Sequence, residues 1–119
     1  MADIFTDAGE NLVADILDGT TAAPTWYVGW GTGAGTAAKG DTTLFTEASE
    51  TRIAATMSQP SANVNRAVAE ITADGTKTIT NAGILSAVSS GILLVHGDHT
   101  GVAVVSGDKI EYTIDLTWS

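Results

Sequence analysis

The most constraining feature of the sequence is a strict alternation of apolar and polar residues near its C-terminal end. The apolar positions are Ile110, Tyr112, Ile114, Leu116 and Trp118. Because successive side chains of a β-strand point to opposite faces, this pattern predicts a strand with one buried face and one solvated face. Such a strand needs neighbours in a sheet and a second layer over its apolar face. We therefore expect a layered β-protein with Trp118 in its core.

Short apolar and β-branched segments separated by turn signals recur along the rest of the chain. They predict further strands at 26–30, 52–58, 64–72, 77–80, 82–85 and 92–95. The segments 52–58 and 64–72 have the spacing of an antiparallel pair. The runs 82–85 and 92–95 are typical of strands covered on both faces. Glycines crowd the stretch 31–43, which we predict to be a long loop.

One short helix is predicted before the strands. Its apolar positions have the spacing of a single helical stripe: Leu12, Val13, Ile16 and Leu17. Asp7, with Glu10 three residues later, has the spacing of a capping box, and Gly19 can end the helix. We expect the stripe to dock on the sheet or on a neighbouring subunit.

These elements predict an all-β fold with one short N-terminal helix, arranged as an antiparallel β-sandwich or jelly roll. A length of 119 residues allows one domain, with the helix and a linker over 1–23 and the sandwich over 24–119. The first residues lack the pattern of a secretory signal, and no apolar run reaches the roughly 18 residues of a membrane helix. We expect the chain to be assembled in a cytoplasm, without a membrane partner.

The charge balance is strongly acidic, with 14 Asp and Glu against 5 Lys and Arg and a formal net charge of -9. A nucleic-acid binder must gather cations on one face to release counterions, so this balance argues against DNA or RNA as a partner. Several acidic residues precede Lys39, the first cation of the chain. The N-terminal end therefore suits a basic partner surface or solvent.

No catalytic constellation is visible, and we expect neither an enzyme nor a cofactor. Gly29-x-Gly31-x-x-Ala34 matches a relaxed dinucleotide fingerprint, but no crossover helix follows it. The densest polar cluster contains His96, Asp98 and His99, which could form a metal triad. We interpret this cluster as a polar turn and expect no metal, because further ligands and cysteines are lacking.

Two tryptophans next to the glycine-rich stretch support two interpretations. Trp26 and Trp30 share one side of a predicted strand, where they can belong to the core or to an interface. Leu44 and Phe45 can anchor the far end of the loop. Our candidate partner interface combines these positions with the helical stripe: Leu12, Ile16, Trp26, Trp30, Leu44 and Phe45.

A set of characteristic segments runs through the chain between Asn11 and Trp118. They are Trp30–Ala38, Asp41–Ala48, Arg52–Thr56, Thr76–Leu85, Gly91–Gly101 and Gly107–Ile110. Together they resemble a group of small tailed-bacteriophage virion proteins, whose members are labelled head decoration or tail fibre. His96 and His99 depart from the Lys, Arg or Phe expected in relatives. The resemblance implies a structural protein of the virion.

The leading hypothesis for function is a non-enzymatic capsid decoration, or cement, protein that stabilises capsomer junctions on the outer surface of the head. We favour it because the chain lacks the repetitive shaft or receptor domain of a fibre. The expected partners are the major capsid protein and further copies of the chain, as a dimer or trimer. The alternative is a tail or fibre-base component. A more remote alternative is a carbohydrate-binding module, which burial of Trp30 would disfavour.

Overall fold

The computed structural model describes residues 2–118 as one helix and eight strands. Their bounds are β1 Ala2–Phe5, α1 Asp7–Leu17, β2 Tyr27–Gly31, β3 Ile53–Ala54, β4 Thr56–Ser61, β5 Val64–Thr72, β6 Lys77–Leu85, β7 Leu93–Val104 and β8 Lys109–Thr117. The larger sheet has the strand order β1-β7-β6-β2-β3, and the smaller sheet has the order β4-β5-β8. All paired strands are antiparallel. The predicted β-rich, sandwich-like fold with one short helix is confirmed.

Both sheets contribute apolar side chains to one shared core. The largest contributors include Val28, Trp30, Ile71, Ile79, Ile84 and Ile114. The alternation predicted for the last strand is confirmed, since Tyr112, Ile114 and Leu116 are buried and the residues between them are exposed. Because the buried residues alternate with exposed ones, β8 has one apolar face, and this face packs toward the larger sheet.

The prediction that Trp118 belongs to the core is wrong. Trp118 follows the last residue of β8 and is 42% exposed. Its ring lies edge-on to Phe5, with 5.3 Å between centroids, and its Nε1 donates a 2.7 Å hydrogen bond to Asn65 Oδ1. The alternating pattern continues in sequence beyond the point where the sheet can cover it.

The chain crosses between the two sheets within the segment predicted as one strand at 52–58. The first part, β3, pairs with β2 in the larger sheet, whereas β4 pairs with β5 in the smaller sheet. Between them, the Ala55 amide donates a 2.8 Å hydrogen bond to Trp26 O. The predicted antiparallel pairing with 64–72 is confirmed for β4.

Two predicted strands merge, and one predicted turn is absent. The segments 77–80 and 82–85 form the continuous strand β6, and β7 continues through His96 and His99 to Val104. The interpretation of the histidine cluster as a turn is therefore wrong. β6 and β7 stay paired on both sides of a register shift between Ile79 and Asn81.

The helix begins one residue earlier than the capping-box pattern predicts. Thr6 is the N-cap, and its Oγ1 accepts a 2.9 Å hydrogen bond from the Gly9 amide. The same hydroxyl donates to Leu93 O in β7, so Thr6 can cap the helix and attach it to the sheet. Glu10 is not part of a capping box and pairs instead with Lys39 at 2.6 Å. The predicted end of the helix is confirmed by the positive φ of 83° at Gly19.

The apolar stripe of α1 is divided between the core and the surface. Leu12 is buried and only 6% exposed, while Val13 packs against the core from its edge. Leu17, at the C-terminal end of the helix, is 82% exposed. The helix docks closely on β7, because a Cβ added at Gly9 would lie 2.6 Å from Leu94 O. Leu12 thus docks on the sheet as predicted, whereas Leu17 does not.

We predict that Leu12→Ala and Leu17→Ala have different effects on stability. Leu12→Ala should lower the free energy of unfolding by about 2–5 kcal/mol, because it leaves a cavity beneath the helix. Leu17→Ala should change it by less than about 0.5 kcal/mol, as at other exposed positions. Chemical denaturation of both variants measures the difference. Equal losses would contradict the docking of α1 through Leu12.

Candidate functional site

A glycine-rich loop, residues 32–46, covers the outer face of the larger sheet. Its two arms are joined by hydrogen bonds from the Thr32 amide to Thr46 O and from the Gly33 amide to Phe45 O, at 3.0 and 2.9 Å. The approach is so close that a Cβ at Gly31 would lie 2.3 Å from Phe45 O. Glycine is therefore required where the loop leaves β2. The predicted loop is confirmed, and it is ordered by contacts with the sheet.

The apolar contact beneath this loop is a small cluster separate from the main core. Leu44 from the loop packs with Leu85 and Leu93 from β6 and β7, and all three side chains are buried. The opposite faces of the same two strands enter the main core. Coverage on both faces, as predicted, is thus confirmed for 82–85 and for 93–95, whereas Ile92 is exposed and precedes β7. The loop acts as a third layer.

Four residues form what we call the loop anchor: Asp41, Phe45, Asn81 and His96. Asn81 and His96 are fully buried. Asn81 accepts a hydrogen bond from the Phe45 amide and donates one to the Phe45 carbonyl, each at 3.0 Å. This two-way contact fixes the orientation of the Asn81 amide, with its oxygen toward His96.

His96 joins the two polar ends of the loop anchor. Its Nε2 lies 3.0 Å from Asn81 Oδ1, and its Nδ1 lies 2.7 Å from Asp41 Oδ2. Both ring nitrogens thus lie within hydrogen-bond distance of side-chain oxygens, so the His96 ring bridges Asn81 and Asp41. The ring also stands edge-on to Phe45, with 4.5 Å between centroids. The anchor therefore combines these imidazole contacts with hydrogen bonds that hold the loop backbone.

The residues considered as a metal triad do not converge. Whereas His96 points beneath the loop, Asp98 accepts a 2.8 Å hydrogen bond from the Ala37 amide. His99 Nε2 lies 3.0 Å from the Tyr112 hydroxyl. Over residues 2–118, no three His, Asp or Glu side chains form a group that could hold a metal ion. The cluster instead fastens the loop and the sheet edge.

A polar cleft lies between the β1–β7 edge and β8. With a volume of about 820 Å³, it is lined by Asp3, Asp98, His99, Glu111 and Tyr112 among others. Burial raises the pKa of Asp3 and also raises the pKa of Tyr112, whose hydroxyl contacts His99. Burial therefore favours the neutral phenol of Tyr112, and the cleft shares the acidic character of the chain.

Trp30 belongs to the core, with its indole nitrogen paired. The side chain is 1% exposed, and Nε1 donates a 2.9 Å hydrogen bond to Glu50 Oε1. Lys77 Nζ lies 2.7 Å from the other oxygen of the same carboxylate. Burial opposes ionisation of Glu50, but the hydrogen bonds from Lys77, the Asp74 amide and Trp30 lower its pKa to about 2. Trp30 is thus not available to stack on a sugar.

The other residues of the predicted interface fall into two groups. Leu12 and Leu44 are buried like Trp30, so their side chains contact other parts of the same chain. Ile16, Trp26 and Phe45 are half-buried. Phe45 contributes to the loop anchor, whereas Ile16 and Trp26 line a groove beside the helix.

This helix groove consists of two adjoining depressions of about 390 and 300 Å³. Its apolar lining includes Phe5, Val13, Ile16, Leu17, Trp26, Met57 and Trp118. Leu17, Met57 and Trp118 are 82%, 39% and 42% exposed. Sequence reasoning missed Met57 and Trp118, because nothing in the local pattern shows that β4 and the end of β8 meet the helix. The groove is an apolar surface available for contact.

A family model described as podophage GP4 fiber I protein gp80 matches residues 5–117. The chain belongs to this family. The match includes the helix, the loop anchor and nearly all of both sheets. It confirms the resemblance to phage virion proteins, and it supports a structural protein of the virion. The description names a fibre protein and gives no specific support for head decoration.

One further comparison and one structural observation complete this picture. No curated protein matches the chain. Within the described residues, no helix has the length and apolar character needed to cross a membrane.

We predict an acid-sensitive contribution of Glu50 to stability. Its pKa is lowered from 4.5 to about 2 in the folded chain. Below pH 4.5 the unfolded chain therefore binds more protons at this position, so the stabilisation falls progressively between pH 4.5 and 2 and is complete above that range. Glu50→Gln should reduce the slope of melting temperature against pH in this window. An unchanged slope would contradict the role of Glu50.

Proposed function

We propose that this chain is a non-enzymatic structural component of the phage fibre. The observation that carries the proposal is the family match over residues 5–117, which covers the folded elements from the N-cap of α1 to the end of β8. The match favours the fibre alternative over the capsid decoration expected from the sequence. A location on the head, in contact with the major capsid protein, is the competing assignment.

The buried polar side chains bond to other parts of the same chain, which supports a structural role. Arg52 makes two contacts with Glu47, each 2.7 Å, and donates to the carbonyls of Ala87 and Ser90. The Arg52 side chain thereby ties the segment after the loop to the β6–β7 connection. The Arg52 contacts, the loop anchor and the hydrogen bonds of Glu50 all join parts of the same chain. The buried charged and imidazole side chains thus stabilise the fold. Such an arrangement suits a rigid building block.

Self-association is part of the proposal for the assembled fibre. The expectation of a homo-oligomer came from the small size of the chain and its apolar content. The exposed strand β4 forms one edge of the smaller sheet and leaves backbone groups free for a further strand. This edge is separate from the loop anchor.

Labelling of intact virions tests the location. Gold-conjugated antibodies raised against the folded chain should mark the fibres in electron micrographs. Antibodies against the major capsid protein serve as the control and should mark the head. Label from the first antibody on the head surface would overturn the fibre proposal and restore capsid decoration.

A further inference from the structure

In the helix groove, an exposed apolar surface lies next to an acidic helix. Leu17 and Trp118 border both depressions of the groove; Leu17 is almost fully exposed, and Trp118 is partly covered by Phe5 and Asn65 but keeps an exposed face. On α1 and at its end, the exposed carboxylates are Asp7, Glu10, Asp15 and Asp18. Hydrogen bonds from the Thr20 side chain and backbone lower the pKa of Asp18, which keeps it charged. A partner that covers Leu17 must therefore approach negative charge.

The cations of the chain are already engaged in ion pairs. The five Lys and Arg residues pair as Lys39–Glu10, Arg52–Glu47, Arg66–Asp115, Lys77–Glu50 and Lys109–Glu70. Near the groove, Lys39 also lies 3.8 Å from Asp7. Among the described residues, the charge left unpaired at this surface is thus acidic and belongs to Asp15 and Asp18.

This charge distribution disfavours a second copy of the chain as the occupant. A symmetric contact would bring two acidic helices together, and like charges across an interface oppose association. A partner with Lys or Arg beside its apolar residues would satisfy both features of the surface. Charge complementarity therefore selects a different protein.

We propose that the helix groove binds an apolar segment, flanked by Lys or Arg, of a different virion protein. The apolar residues of that segment cover Leu17 and Trp118, and its cations face the carboxylates at the C-terminal end of α1. This assignment rests on the proposed virion function and names the chemistry of the partner. It does not depend on whether the chain lies on a fibre or on the head.

Site-specific photocrosslinking in intact virions tests the proposal. Benzoylphenylalanine is introduced in place of Leu17 and, as the matched control, in place of Val105. Val105 is 53% exposed and precedes β8, whereas the groove lies at the other end of that strand. After irradiation, mass spectrometry identifies the crosslinked peptides. We expect at least fivefold more adduct at position 17, to a peptide of another virion protein in which Lys and Arg outnumber Asp and Glu.

A variant with two carboxylates neutralised distinguishes a basic segment of another protein from a second copy of this chain. Asp15→Asn with Asp18→Asn keeps the side-chain size and should lower the adduct yield at position 17 severalfold, because the attraction to a basic segment is lost. A second copy in the groove would give adducts to this chain, with a yield that rises on neutralisation. That result, an acidic partner peptide, or equal yields at positions 17 and 105 would overturn the proposal. Gold labelling tests the fibre location separately.

Discussion

The two hydrogen bonds between Asn81 and the backbone of Phe45 connect the glycine-rich loop to the larger sheet. The Asn81 side chain is fully buried, and a buried amide left without partners costs about 1–3 kcal/mol. The loop has few side chains with which to fold independently, so contacts with the sheet such as this one determine its path. His96 extends the contact to Asp41 and so holds a second point of the loop. The third layer over the sheet depends on this arrangement.

The same strand that carries His96 also positions the N-terminal part of the chain. β7 pairs with β1 on one side and with β6 on the other. Thr6 bonds to the carbonyl of Leu93, in the first part of β7, and sets the start of α1. The loop and the helix are thus fixed to one strand. With the helix fixed in this way, Leu17 and Trp118 are left facing solvent on an acidic surface.

Local patterns predicted the β-rich fold well and the site poorly. Alternation of residue type reports burial directly, which is why the face of β8 could be assigned up to Leu116. The histidine cluster was misassigned because the partners of His96 are Asp41 and Asn81, which are 55 and 15 residues away. Burial of Trp30 depends in the same way on Glu50, 20 residues away. A distant partner of this kind allows a residue such as His96 or Trp30 to be buried. The neighbouring sequence gives no sign of that partner.

Amide hydrogen exchange of Phe45 tests most directly whether the loop anchor holds the loop. The Phe45 amide donates to buried Asn81, whereas the Gly40 region of the same loop is exposed. We expect the Phe45 amide to exchange as slowly as the paired amides of β6, and much more slowly than that of Gly40. Exchange of Phe45 at the rate of Gly40 would show that the loop opens freely, and it would contradict the anchoring of the third layer through Asn81 and His96.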